Sequence, residues 1–167
     1  MKIIVAACKN FGIGFQNNLP WKLKSDLRKF KHLTIGNGNN AVIMGSNTWK
    51  SLPKQPLTNR FNCILSTSLE VDNDNSKVFN NVDTLIDFTK SNNFDDVWVI
   101  GGEKIYNLFL EKDLVESIYL TKIYEKYICD TYFNYPITFN ITNSSRMMSE
   151  KDIIYNYILL EKHKYHY

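Results

Sequence analysis

Asp26 is the side chain in this sequence with the clearest capacity for chemistry. It falls in a helical pattern over residues 22–33 whose apolar positions, Leu23, Leu27 and Phe30, recur at i, i+4 and i+7. Asp26 is i+3 from Leu23 and i−4 from Phe30, on the border of that stripe, while Lys24, Arg28, Lys29 and Lys31 form the polar face. A carboxylate among apolar side chains is costly unless it is partnered or its pKa rises. Site acids and ligand-anchoring carboxylates are made this way. The structural alternative is a first-turn Asp that complements the helix dipole or pairs with a neighbouring Lys. Arg60, one of three Arg in the chain, follows Pro56-Leu57-Thr58-Asn59 and opens an apolar run. It could grip a carboxylate bidentately where Lys could not, or cap a surface turn.

Two strand-to-helix junctions could hold phosphate. Val97 to Ile100 is an apolar run that ends on Gly101-Gly102, and a helical pattern with Ile105, Leu108 and Phe109 follows from Lys104. Val42-Ile43-Met44 likewise meets Gly45, with Ser46 the expected N-cap of a short helix carrying Thr48 and Trp49. Each junction directs backbone N–H groups and a helix dipole at one point, and glycine lets a ligand approach the backbone. A tight turn alone would also use these residues. Two such junctions in one sheet suit a diphosphate-bearing dinucleotide, yet no GxGxxG follows any strand, so the ordinary dinucleotide fold is not expected. Between the first strand and the Asp26 helix, residues 11–21 combine Gly12, Gly14, Asn17 and Asn18 with apolar Ile13, Leu19 and Trp21. That is the composition of a lid able to close over a ligand, or of a packed surface loop.

The elements that must position these groups alternate short apolar runs with helical patterns, which argues for an α/β sheet. Strands are expected at residues 3–8, 41–44, 61–65, 97–100 and 117–123, with helices over 22–33 and 84–91 and another from Lys104. Residues 68–76, rich in Asp and Asn, read as a surface loop. Residues 139–142 and 153–160 read as antiparallel hairpin strands. There is no internal repeat and no linker, so residues 1–167 are expected to form one domain.

At 44% hydrophobic and 22% charged residues, the composition is that of an ordinary globular protein. A net charge of +3 with no dense basic block gives no reason to expect nucleic-acid binding. No apolar run reaches membrane-spanning length, and the opening apolar segment, broken by Lys9, reads as a strand rather than a secretory signal. Cys8, Cys63 and Cys129 form neither a CxxC pair nor a zinc pattern with the His residues. A reducing, cytoplasmic setting and no metal are expected, with Cys8 and Cys63 as small core residues.

Taken together, several segments resemble the dihydrofolate reductase family along essentially the whole chain. They are Gly12-Ile13-Gly14 with Leu19-Pro20-Trp21; Asp26 five residues past that Trp, with Phe30 beyond; Val42-Ile43-Met44-Gly45 with Thr48-Trp49 and Ser51; Pro56-Leu57 with Arg60; Leu65-Ser66; Val99-Ile100-Gly101-Gly102 with Tyr106; and Tyr119-Leu120-Thr121 followed by Asp130-Thr131. The resemblance implies a central eight-stranded, mainly parallel sheet flanked by about four helices. It implies reduction of 7,8-dihydrofolate to tetrahydrofolate with NADPH, passing hydride from nicotinamide C4 to pterin C6 while N5 is protonated; a monomer is expected.

By the same resemblance, Asp26 anchors pterin N3 and the 2-amino group, with proton delivery through a water near Asp26 and Trp21, and Thr121 orients the carboxylate. Ile4, Val5, Leu27, Phe30, Ser51 and Leu52 would line the folate pocket, with Ile100 and Tyr106 beside it, and Arg60 would hold the α-carboxylate of the glutamate tail. Ala6, Ile13 and Ile100 would lie near the nicotinamide, and residues 12–19 would be the lid. Gly14, Leu19, Gly45, Ser46, Asn47, Thr48, Leu65, Ser66, Thr67, Gly101, Gly102, Glu103, Lys104, Ile105 and Tyr106 would complete the cofactor site. A cis peptide is implied at Gly101-Gly102.

The chain departs from the family where cofactor phosphates are held. Family members commonly place a cation just after the glycine matching Gly45, and some have Arg shortly after the Leu-Ser matching Leu65-Ser66; here Ser46-Asn47 and Thr67-Ser68 stand there. Lys104 and Lys77 are the nearest substitutes, and a reduced margin of NADPH over NADH is expected. An enzyme reducing another pterin or a pyrimidine precursor fits Asp26, Trp21 and Arg60 less well, and an RNA-binding module lacks the aromatic motif it would need.

Overall fold

The computed structural model describes residues 1–71 and 73–164. In chain order the elements are β1 (Lys2–Ala7), β2 (Gly12–Gly14), α1 (Lys24–Ile35), β3 (Ala41–Gly45), α2 (Ser46–Ser51), β4 (Phe61–Leu65), β5 (Ser76–Phe79), α3 (Val82–Ser91), β6 (Val97–Gly101), α4 (Glu103–Glu111), β7 (Ser117–Ile123), β8 (Thr131–Tyr132), β9 (Phe139–Ser144), β10 (Met148–Glu150) and β11 (Ile153–Lys162). The main sheet runs β10-β11-β7-β1-β6-β3-β4-β5. All neighbours from β7 to β5 are parallel, and β11 is antiparallel. Strand β9 pairs with residues 158–162 of β11 and β10 with residues 153–155, so these two short strands share one edge. The sheet therefore has eight positions, mainly parallel, as the resemblance implied.

Parallel strands need crossover connections, and here those carry the four helices. The central strand β3 is buried through Ala41, Val42, Ile43 and Met44 because both of its faces are covered. Its alternate residues feed different cores: Ala41 and Ile43 join Ile3, Val5, Val99 and Phe109, while Val42 and Met44 join Trp49, Ile64 and Trp98. Strand β1 lies between β6 and β7, so its carboxyl end opens near the middle of the sheet, next to β7 and α1.

Several boundaries differ from the sequence reading. Helix α1 begins at Lys24 rather than residue 22, after Leu23 at the N-cap, which offers no side-chain acceptor. Ser46 is not an N-cap: Gly45 occupies that position and Ser46 is the first helical residue. Residues 68–76 were expected to be loop throughout, but Ser76 opens β5, a polar edge strand recruited by parallel pairing to β4. The short β2–β8 ribbon and β10 were not anticipated at all. Helix α3 carries its own start signal, Asn81, whose Oδ1 accepts from the N–H groups of Asp83 and Thr84.

Candidate active site

Asp26 is the third residue of α1, and the helix is seated there by a distant strand. The Glu150 carboxylate of β10 accepts from the N–H of Lys24 at 2.6 Å and of Ser25 at 3.1 Å, supplying the cap that Leu23 cannot. These helix donors hold the Glu150 carboxyl below the usual range. Ser25 Oγ lies 2.7 Å from the Tyr155 hydroxyl on β11. The turn bearing Asp26 is thereby tied to the antiparallel edge of the sheet.

The half-buried Asp26 carboxylate accepts a 2.6 Å hydrogen bond from the Thr121 hydroxyl on β7. Burial pushes its carboxyl above the ordinary value, and Glu150 adds to the rise; the Thr121 hydroxyl and the Lys29 cation pull it part of the way back. Thr121 pairs in register with Ala6 of β1 on one side and with Tyr157 of β11 on the other. Ile4 and Ala6 therefore share a face with Thr121, while Val5 points into the opposite core and is 5% exposed. Trp21 is buried beside Leu23, Cys8, Ile123 and Tyr155, its ring 5.5 Å from that of Tyr127.

Away from Asp26 the cleft is apolar. Ile4, Leu33, Leu52, Leu57 and Ile100 are partly buried around one cluster between α1, α2 and the sheet. Leu27 is 58% exposed, so the stripe of α1 that a core-packing reading would bury opens instead along this wall, with Phe30 half-buried beside it. Ser51 is exposed at the end of α2 and donates to Thr48 O. Arg60 is buried, not on the surface. Its Nε donates to Thr58 O at 2.8 Å and Nη1 to Thr34 Oγ1 at 3.0 Å, fixing the guanidinium plane at the far end of α1 while using two of its five donors. Burial lowers its pKa, but a guanidinium stays charged.

The two glycine junctions meet. Met44 of β3 pairs with Gly101 of β6, so the starts of α2 and α4 sit side by side at the carboxyl ends of neighbouring parallel strands. Gly101-Gly102 is a cis peptide and Gly101 has φ +129°. A Cβ at Gly101 would lie 3.3 Å from the Tyr106 hydroxyl and 3.5 Å from Thr48 Oγ1, and one at Gly45 would lie 3.1 Å from Ile105. The Tyr106 hydroxyl itself donates to Ile4 O at 2.8 Å, tying α4 to β1. The close approaches at Gly45 and Gly101 leave bare backbone at the two helix starts, an arrangement that suits a dinucleotide diphosphate. Ser46 and Asn47 flank it, Lys104 is exposed on α4, and the Glu103 carboxylate accepts from Tyr132 N–H. Ser66 Oγ accepts from the N–H groups of Ser68 and Leu69, making a tight turn after Leu65 that leaves Thr67 exposed.

The segment after β1 is laced to the β7–β8 connection. Gln16 N–H donates to Asp130 Oδ2 at 2.9 Å, Asp130 N–H to Gly14 O at 2.9 Å, and β2 pairs with β8. Phe11, Gln16 and Asn17 have positive φ, Ile13 is half-buried and Leu19 is 53% exposed. An open pocket of about 1010 Å³ lies elsewhere, between β5, α3 and the loop after β4, with Ser66, Thr67 and Lys77 among its lining residues. Asp26, Thr121 and Arg60 do not line it. Sequence reasoning did not find Glu150, Tyr155, Tyr157 or the role of Asp130 as a tie. Only Asp130 carried a local signal, next to Thr131.

Comparison with known proteins accords with this geometry. The family model described as "Dihydrofolate reductase" matches residues 1–164. The chain is 35% identical over 177 residues to dihydrofolate reductase of Drosophila melanogaster, with 96% of this chain and 97% of that protein covered. It is 34% identical over 142 residues to dihydrofolate reductase of Gallus gallus, covering 78% and 75%. It is 36% identical over 157 residues to the bifunctional dihydrofolate reductase-thymidylate synthase of Paramecium tetraurelia, covering 93% of this chain and 33% of that protein. The chain thus spans about a third of that bifunctional relative and nearly the full length of the Drosophila protein.

Proposed function

The chain belongs to the dihydrofolate reductase family, and we propose that Asp26 is the residue on which its reduction of 7,8-dihydrofolate to tetrahydrofolate turns. The reaction is that of an NADPH-dependent oxidoreductase. When bound, NADPH supplies the hydride from its nicotinamide C4 to pterin C6. The observation that carries the assignment is the Thr121–Asp26 hydrogen bond, because it fixes a partly desolvated carboxylate against the apolar cleft.

Asp26 accepts from pterin N3–H and the 2-amino group, a bidentate match for a planar donor pair. Its negative charge favours a proton on the bound pterin, which N5 needs for reduction, and its raised carboxyl keeps a proton in the site to higher pH. Trp21 closes the cleft beside the path by which water brings that proton. Ile4, Leu27, Phe30, Leu52 and Ile100 bury the ring and the benzoyl group, with Ser51 at the rim, and Val5 contributes through its backbone. Arg60 binds the glutamate α-carboxylate with its remaining donors. Gly45, Ser46, Asn47, Thr48 and Gly101 to Tyr106 hold the cofactor diphosphate; Leu65, Ser66 and Thr67 hold the adenosine end; Ala6, Ile13, Gly14 and Leu19 border the nicotinamide. Residues 12–19 act as the lid that excludes water.

Lys77, on β5 over the rings of Phe79 and Phe88, and Lys104 are the cations assigned to the adenosine end. NADPH is preferred by a narrow margin, and equal kcat/KM for NADPH and NADH would remove that preference. Among the described residues no helix is long and apolar enough to cross a membrane; residues 1–167 act as one domain, monomeric and cytoplasmic. The purified protein, mixed with dihydrofolate and NADPH, consumes the near-ultraviolet absorbance of NADPH; no consumption above the uncatalysed rate would overturn the assignment.

A further inference from the structure

The helix that carries Asp26 touches the sheet at a second point one turn further on. The Lys29 ammonium lies 3.3 Å from the centroid of the Tyr157 ring. Tyr157 is the direct cross-strand partner of Thr121, which holds Asp26. Asp26 and Lys29 are i and i+3 on α1, and Thr121 and Tyr157 are neighbours on adjacent strands, so two successive ties join helix to sheet. Lys29 makes no ion pair among the described residues, and the cation is spent on the ring.

We propose that Lys29, clamped on Tyr157, is a positioning residue for the reduction: a fixed cation beside Asp26 that governs the pH range over which the enzyme works. The proposal rests on the assignment of Asp26 made above. Thr121 from β7, Glu150 from β10 and Lys29 from its own helix act on Asp26, and Asp26 acts on Tyr157 of β11; Tyr155 of β11 is tied to the neighbouring Ser25. Arg28 and the first N–H groups of α1 act on Glu150. Burial and Glu150 raise the Asp26 carboxyl, and Lys29 is the cation that lowers it. Burial and then Asp26 raise the Tyr157 phenol, and Asp26 works against the burial that lowers Lys29. A positive charge here also opposes protonation of the pterin. Both effects act in one direction: removing the charge lets the proton stay in the site to higher pH.

The test is a charge series, Lys29→Arg, Lys29→Met and Lys29→Glu, followed by single-turnover hydride transfer from acid to alkaline pH. The rate falls as pH rises past a midpoint. The Arg variant keeps that midpoint, the Met variant moves it up, and the Glu variant moves it further. Well above the wild-type midpoint the Met variant is then about two- to five-fold faster than wild type. Tyr157→Leu, which frees the ammonium, gives a smaller shift the same way. A titration of Asp26 followed by NMR of a labelled carboxyl reads the same order without turnover. Midpoints that do not follow the order of charge in folded variants overturn the proposal. A wild-type protein that does not reduce dihydrofolate would instead overturn the assignment on which it rests.

Discussion

The Thr121 hydroxyl donates a 2.6 Å hydrogen bond to Oδ1 of Asp26 across 95 positions of sequence. Thr121 is 5% exposed, and its partners in register, Ala6 and Tyr157, hold its strand in place, so the donor arrives preoriented. Thr121→Val keeps the shape and removes the donor. A hydrogen bond to a charged group contributes about 1.5–3 kcal/mol, so kcat/KM with dihydrofolate falls by roughly one to two orders of magnitude. Because the bond favours the ionised form, its loss also raises the Asp26 carboxyl. Steady-state kinetics across pH measure both effects; unchanged kcat/KM means that Thr121 does not orient the carboxylate.

The role proposed for Asp26 carries a cost in stability. Its carboxyl lies above its ordinary value of 3.8 in the folded protein because of desolvation. Below pH 3.8 the group is protonated in both folded and unfolded chains and costs nothing. As pH rises through the folded value, the folded state must give up a proton that it holds more tightly than the unfolded state does, and stability falls. Asp26→Asn therefore melts at higher temperature than wild type at neutral pH, with the difference closing in acid. A variant that melts lower at neutral pH would show that the carboxylate is stabilising.

Arg60→Lys tests the far end of the cleft. The Lys side chain loses the fork held by Thr58 O and Thr34 Oγ1 and with it the bidentate grip proposed for the glutamate. KM for dihydrofolate rises by about tenfold or more with little change in kcat, since the contact is as strong in the ground state as in the transition state. A substrate truncated before its glutamate shows no such penalty. An equal effect on both substrates would place Arg60 in folding alone.

The base of the proposed lid admits no side chain at Gly12. A Cβ there would overlap Cys129 Sγ and sit 2.6 Å from Cys129 Cβ and 3.2 Å from Cys8 Sγ. Gly12→Ala must push β2 away from Cys129, at a cost of about 1–3 kcal/mol, and loosen the Gln16–Asp130 tie. Denaturant unfolding measures the cost, and Cys129→Gly in the same background recovers part of it. Full stability in the single variant would mean that the lid base shifts freely.

What the sequence could tell follows from where its information is local. Strand β3 is legible because burial on both faces leaves a continuous apolar run, and β7 by its β-branched and aromatic residues; α3 is legible only from residue 84, two positions after its observed start, although Asn81 caps it from within the same turn. Strand β5 is illegible because Ser76 and Lys77 have no strand pattern of their own; pairing with β4 makes them a strand. The start of α1 was placed too early because its cap is Glu150, 126 positions away from Lys24. At the site, Asp26 and Arg60 stand out by type and position, but their settings do not. The Tyr157–Lys29 contact and the Gln16–Asp130 tie join segments that only the folded chain brings together. The matches to the family's motifs supplied roles that residue types alone left open between structure and chemistry.

The most direct measurement is the pH profile of hydride transfer in Asp26→Asn. General acid–base groups contribute about 10²–10⁴-fold, and the variant should lose at least that lower factor at neutral pH. Part of the rate should return in acid, where solvent protonates the substrate in place of the carboxylate. Wild-type turnover by Asp26→Asn across neutral and alkaline pH would contradict the assignment of Asp26.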